Sequence, residues 1–292
     1  MGEFFALITA VVWAIAVILF KKSGETVHPI ALNLFKNFLA IGLFVPTIYI
    51  FGEGLFRRAP ISDYSLLLLS GMMGISLADT FYFMALNLVG AGVVAIVSCL
   101  YGPFIIAMSM AFLGERLSLL QLVGVALIIS AVLFATYSKG ESRHSKGDLI
   151  KGICFGALGT FINAAGVVMI KPILNTSPLV WVSTYRILGG IIGLLVILLF
   201  LQNRINILST LKNRQSWGFT VSGSFMGAYL SMFLWLAGMK FTLTSIAAAL
   251  NQTATIFIYL FAILFLKEKF SYRKALGVAL AMIGVLLVTY AR

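Results

Sequence analysis

Charge is scarce in this sequence: only 10% of its 292 residues are charged, 61% are hydrophobic, and mean hydropathy is +1.06. A soluble domain carries roughly 25% charged residues, so this chain cannot cover a water-facing surface. Cysteine and histidine are scarcer still, at two each. Cys99 and Cys154 fall inside long apolar runs, so neither a disulfide framework nor a Cys-based metal site is expected. His28 and His144 lie at or in loops, which leaves no His-rich metal centre. No Gly-x4-Gly-Lys-Ser/Thr loop is present to hold a nucleoside triphosphate, which argues against ATP-driven pumping by this chain alone. No catalytic groups gather at one interface, so the expectation is no enzyme, no metal and no cofactor.

Long apolar runs are what remains. Each is about 20 residues, enough for a helix to cross about 30 Å of hydrocarbon. The runs lack the alternation of a barrel strand, and backbone in lipid must satisfy its own polar groups, so helices are predicted. Ten spans are read at 3–20, 30–51, 63–87, 91–113, 118–137, 148–170, 179–201, 215–239, 243–266 and 271–290. The first is expected to be retained: Met1 to Glu3 has no basic region, and no small-x-small cleavage site follows.

A net charge of +12 invites a nucleic-acid reading, but the placement of the basic residues opposes it. Thirteen of the 21 Lys and Arg lie in or beside the odd-numbered loops, six lie on the opposite side, and Lys36 and Arg186 lie within or near spans two and seven. This is a loop-charge pattern rather than a nucleic-acid stripe. Taken alone, it puts the odd loops inside and both termini outside.

The chain also repeats itself. A shift of 153 residues sets Phe104–Leu127 against Phe257–Leu280, with Phe104, Ile105, Phe112, Leu113, Glu115, Ser118, Gly124, Val125, Ala126 and Leu127 all recurring. A weaker correspondence sets Lys21 against Lys171 and Lys36 against Arg186. Two five-span halves follow, residues 1–138 and 148–292, joined by a loop at 139–147. Because five is odd, the second half must enter the membrane inverted, the arrangement that alternating access uses in secondary transporters.

Ten spans as five plus five, L-G-E-R-L-S and L-K-E-K-F-S ending spans four and nine, and G-V-A-L opening spans five and ten resemble the drug/metabolite transporter superfamily, in its EamA-type branch. The likeness covers nearly the whole chain. It implies a small-molecule carrier or exporter without a nucleotide-binding domain, handling amino acids, other metabolites, nucleotide sugars or sugar phosphates. It also implies a central cavity lined mainly by spans one to four and six to nine, with five and ten peripheral. Relatives usually keep both termini in the cytoplasm, the opposite of what the loop charges indicate.

Of nine acidic residues, only Asp79 lies in a span's interior. An ionised, unpaired carboxylate there costs several kcal/mol, so it is expected to face a cavity, pair, or take a proton. Asp79 is the candidate proton-titrating or amine-binding group; the alternative is a structural carboxylate bonded to a neighbouring helix. Helical spacing adds Ser76, Tyr82 and Phe83 to its face, and Ser231, near Trp235, stands at the aligned position in the second half. Lys36 and Arg186 occupy matching places, with Asn33 and Asn37 beside Lys36. They are candidates to hold a substrate carboxylate or phosphate or to pair with Asp79, against the simpler reading that they snorkel to headgroups. A third group sets Asn251, Gln252 and Thr255 opposite Tyr101, with Gly102 and Pro103 as a candidate hinge. Tyr185 is a further candidate for an aromatic wall, against the simpler reading of lipid contact or core packing in a chain with 13% aromatic residues.

Glu115, Ser118, Glu268 and Ser271 are read as structural junctions: the serines as helix N-caps, the glutamates paired with basic neighbours or bound to backbone donors at their own turns. The predicted whole is a secondary transporter in a bacterial cell membrane. It exports a small organic metabolite, with protons as the candidate coupling ion and membrane lipids as surroundings. No nucleic-acid partner is expected, and the chain is a monomer or homodimer. The competing reading is a lipid flippase or scramblase on the same scaffold.

Overall fold

Hydrocarbon offers backbone groups no water to bind, and the apolar runs answer by satisfying those groups within helices. The computed structural model describes residues 2–104, 107–108, 118–136, 145–241 and 250–290, and no strand occurs among them. The first half holds α1 (Gly2–Ser23), α2 (Pro29–Ile50), α3 (Ile61–Gly71), a π-helical turn (Met72–Leu77), α4 (Ala78–Ser98) and α5 (Leu119–Thr136). The second holds α6 (Lys146–Thr176), α7 (Leu179–Phe200), the short α8 (Arg204–Ser209) with a 3-10 turn (Thr210–Lys212), and α9 (Arg214–Ser224). A second π turn (Phe225–Leu230), α10 (Ser231–Phe241), α11 (Ala254–Leu266) and α12 (Tyr272–Tyr290) complete it. Glu115, the rest of 113–117, residues 139–144 of the joining loop and the opening of span nine at 243–249 lie outside the described residues.

Among the described residues, five helical stretches are long and apolar enough to cross a membrane. One of them, Ile61–Ser98, is 38 residues long and breaks at Gly90 (φ 82, ψ 171), between the predicted spans three and four. Leu133, Phe200, Leu264 and Phe265 are exposed on the outside, an apolar surface suited to lipid.

The halves share geometry as well as sequence. Helices α2 and α7 are both 22 residues long and begin 150 residues apart, so Lys36 and Arg186 are each the eighth residue of their helix. The two π turns lie 153 residues apart. That interval pairs Asp79 with Met232 and Ala78 with Ser231, one residue off the pairing expected from the sequence.

Small residues bring these helices together. A Cβ placed on Gly71 would lie 1.9 Å from the Arg186 carbonyl oxygen, and one on Gly189 would lie 2.2 Å from that of Leu68, so α3 and α7 meet backbone to backbone. Helices α5 and α12 pair similarly, with Gly124 against the Gly284 carbonyl and Gly284 against that of Gly124.

At the turn after α4's break, the amide of Ala91 donates to Glu268 Oε1 at 2.9 Å, across the two halves. Glu268 Oε2 also lies 3.5 Å from Lys274 Nζ, and Lys21 Nζ donates to the Asn87 carbonyl at 3.1 Å beside it. Glu268 therefore pairs with a basic neighbour as expected, but the backbone donor it binds belongs to the distant turn between spans three and four. Gly90 permits this, because its positive φ suits glycine and a Cβ there would lie 2.6 Å from Glu268 Oε1. Glu268→Ala is expected to cost about 1–2 kcal/mol through the uncapped Ala91 amide, read as a lower Tm in detergent. An unchanged Tm would show the cap to be dispensable.

Ser118 does cap α5: its Oγ accepts from the Gln121 amide at 3.3 Å, while Gln121 Oε1 accepts from the Ser118 amide at 3.0 Å. Ser271 is held through its backbone instead, its carbonyl accepting from the Tyr259 hydroxyl at 3.0 Å and its amide donating to the same oxygen at 3.3 Å. His28 caps α2 with Nδ1, which accepts from the Ile30 amide at 3.3 Å. Burial pushes this imidazole below its ordinary range, which keeps the accepting nitrogen unprotonated.

Candidate functional site

A π turn widens the helix and removes carbonyls from the regular ladder. In the first half these carbonyls are claimed by α2: Asn33 Nδ2 donates to the carbonyl oxygens of Ile75 (2.8 Å) and Ser76 (3.2 Å) and to Thr80 Oγ1 (3.1 Å). Asn37 Nδ2 in turn donates to Asn33 Oδ1 at 2.9 Å, which fixes the orientation of that amide. Asn33 and Asn37 are both fully buried, and they anchor the π turn against α2.

This anchor sets Lys36 against Asp79. Lys36 Nζ donates to Asp79 Oδ2 at 2.5 Å; the lysine side chain is 9% exposed, while the carboxylate keeps 30% of its surface. Lys36 also stands 5.7 Å from the centre of the Phe83 ring, a further cation contact. It does not snorkel outward. Tyr82 is an electrostatic neighbour of Asp79, and its ring is tilted at 42° to that of Trp13 of α1, with centroids 6.2 Å apart.

Arg186 approaches from the other half. Its electrostatic neighbours are Tyr101 and Asp79, so the carboxylate has a cation from each half. The Nη2 atom and Asn163 Oδ1 of α6 both come within 3.1 Å of the point a Gly74 Cβ would occupy. Among the described residues Arg186 Nε is buried without a hydrogen-bond partner, as are Ser76 Oγ and Asn251 Oδ1. Sequence reading missed Asn163; its only signal was a lone amide within the apolar run of span six.

Tyr101 follows a break in span four. Helix α4 ends at Ser98, short i to i+3 bonds link Cys99 to Ile96 and Leu100 to Val97, and helix resumes at 101–104. Pro103 accounts for the break: it has no N–H for the Cys99 carbonyl, and its ring disfavours continued helix before it. Span nine turns at Thr253, 153 residues beyond Leu100, and the two breaks touch through Cys99 Sγ and Thr255 Oγ1 at 3.5 Å.

The remaining candidates lie elsewhere. Tyr185 is drawn outward into a cluster with Tyr64 and Trp181, and its hydroxyl donates to the Leu55 carbonyl at 3.1 Å, tying down the loop after α2. The apolar cleft beside that loop, lined by Glu53, Phe56, Arg57 and Trp181 among others, is separate from Asp79. Ser231 is buried, and Trp235 is half-buried against the main core. Neither joins Asp79 through a hydrogen bond, ion pair or ring contact. Gln252 is half-buried beside Thr253.

The geometry has relatives. An uncharacterized transporter of Archaeoglobus fulgidus is 24% identical over 283 residues, spanning 97% of this chain and 96% of the relative. A crystal structure, titled only as that of a protein, superposes with a TM-score of 0.70 at 18% identity, covering 97% of this chain and 94% of the other. The profile of the EamA-like transporter family matches twice, over residues 1–137 and 150–290. With both halves matched, the chain belongs to the EamA-like transporter family and is a multi-pass membrane transporter.

Proposed function

We propose that this chain is a secondary transporter of the bacterial cell membrane, exporting a small organic solute by alternating access between two halves of opposite orientation. Ten spans, five per half, carry it. The observation behind this reading is that Lys36 and Arg186, at the same place in helices 150 residues apart, both bear on Asp79. A carboxylate between two cations, one from each half, changes its balance of partners when the halves rock. Paired π turns and paired breaks in spans four and nine supply the non-ideal backbone about which such halves bend.

Coupling to protons follows from the same group. Lys36, Tyr82 and Arg186 face Asp79. A proton on the carboxylate releases Lys36, and its departure restores the pair. The test is reconstitution in liposomes, with amino acids, nucleotide sugars and labelled lipids screened with and without a proton gradient. Gradient-linked flux of a soluble solute is expected. Lipid movement without any such flux would reject the reading in favour of a scramblase.

A further inference from the structure

Arg186 leaves one charge uncompensated. Among the described residues its guanidinium makes no ion pair, and its Nε is buried without a hydrogen-bond partner. The carboxylate that acts on it electrostatically, Asp79, already gives Oδ2 to Lys36 at 2.5 Å. Lys36 and Asp79 cancel, and a net single positive charge remains on a group that cannot deprotonate. Buried charges are paired or bind a counter-ion, because an isolated one costs too much in a low dielectric.

The surroundings suit a small anion. Gly74 has no side chain, and both Arg186 Nη2 and Asn163 Oδ1 stand 3.1 Å from where its Cβ would be, so the guanidinium and the amide share the room a side chain there would take. Tyr101 is an electrostatic neighbour of the same guanidinium. Neither Asn163 nor Tyr101 spends its side chain on another hydrogen bond among the described residues. The Ser76 hydroxyl, two residues past Gly74, is likewise buried without a partner.

We infer that Arg186, with Tyr101 and Asn163, receives the single carboxylate of a monoanionic organic solute. This deepens the transport reading and rests on it. One uncompensated positive charge matches one carboxylate; a phosphate dianion would leave the site negative. An ammonium group has no place, because the only carboxylate at the site among the described residues, Asp79, is engaged by Lys36. The order of preference is therefore monocarboxylate first, zwitterionic amino acid second, and neutral amide or cation last.

The test measures binding and flux separately on the full chain. Tryptophan fluorescence and thermal unfolding in detergent are titrated with hexanoate and benzoate, their primary amides, and amino acids of similar size. Carboxylates should bind best to the unaltered protein, a ranking that needs no variant. Arg186→Gln should weaken carboxylate binding about 10- to 150-fold, with Arg186→Lys intermediate. Gly74→Ala, which keeps every charge, should weaken it as well by crowding Nη2. Equal binding of amides, or affinity unchanged in Arg186→Gln, would overturn the assignment. If Arg186→Gln fails to fold, the ligand ranking and Gly74→Ala decide. Arg186-dependent carboxylate binding without flux in liposomes would keep the subsite and reject transport; solute flux indifferent to Arg186→Gln would do the reverse.

Discussion

Asp79→Ala is expected to abolish transport and to cost about 3–5 kcal/mol of stability, because it leaves the Lys36 ammonium nearly buried with no counter-charge. The carboxylate's 30% exposure places the loss toward the lower end of that range. Stability and flux separate in the double variant Lys36→Met with Asp79→Leu. Replacing both partners by apolar groups of similar size should recover most of the Tm, since a buried pair is often no better than good apolar packing. Transport should stay absent. Recovery of flux along with Tm would reduce the pair to a structural bolt. Asp79→Asn separates the charge from the shape, and flux whose pH dependence survives it removes Asp79 from coupling.

Both π turns were invisible to periodicity. A π turn adds one residue to a helix without leaving Pro, Gly or charge at a fixed position, so an apolar run reads the same with or without it. The 153-residue interval between the turns also sets the register of the two halves, which pairs Asp79 with Met232 rather than with Ser231. By contrast, local chemistry was legible. The gap between spans three and four was placed at 88–90, where Gly90 lies, Pro103 marked the interruption in span four, and the eighth-residue equivalence of Lys36 and Arg186 could be read from a weak repeat. Long-range partners were not legible, because nothing near Glu268 in sequence announces an amide 177 residues away. Tyr185 shows the same limit: its aromatic ring suggested a cavity wall, but neighbours on a helix point 100° apart, and beside Arg186 it faces the Leu55 loop instead.

Gly71→Val should be the most disruptive single change in the protein. A Cβ at Gly71 would sit 1.9 Å from the Arg186 carbonyl oxygen and 2.9 Å from the Gly190 amide nitrogen, both of them backbone atoms with no rotamer to yield. Helices α3 and α7 would have to part by more than an ångström along a seam that also contains Gly189 and Gly190. Close approach is the main attraction between helices where lipid tails are as apolar as side chains. The expected result is little or no monodisperse protein after extraction, with Gly71→Ala milder but still severe. Gly218→Ala, which meets nothing within 4 Å, is the control and should extract normally. Normal yield of Gly71→Val would show that the halves are not pressed together at this seam.

The bond between Ala91 and Glu268 also bears on how the protein is made. Its two ends are separated by 177 residues, about 10–35 s of synthesis at ordinary rates. Through that interval the turn after Gly90 has been translated but lacks its carboxylate, and Lys21 beside it has Glu25 but not Glu268 as an acidic neighbour. The last hairpin thus closes a joint opened near the start of translation. A chain stopped before residue 268 would carry an unfinished first half into the bilayer, with the Ala91 amide lacking its acceptor.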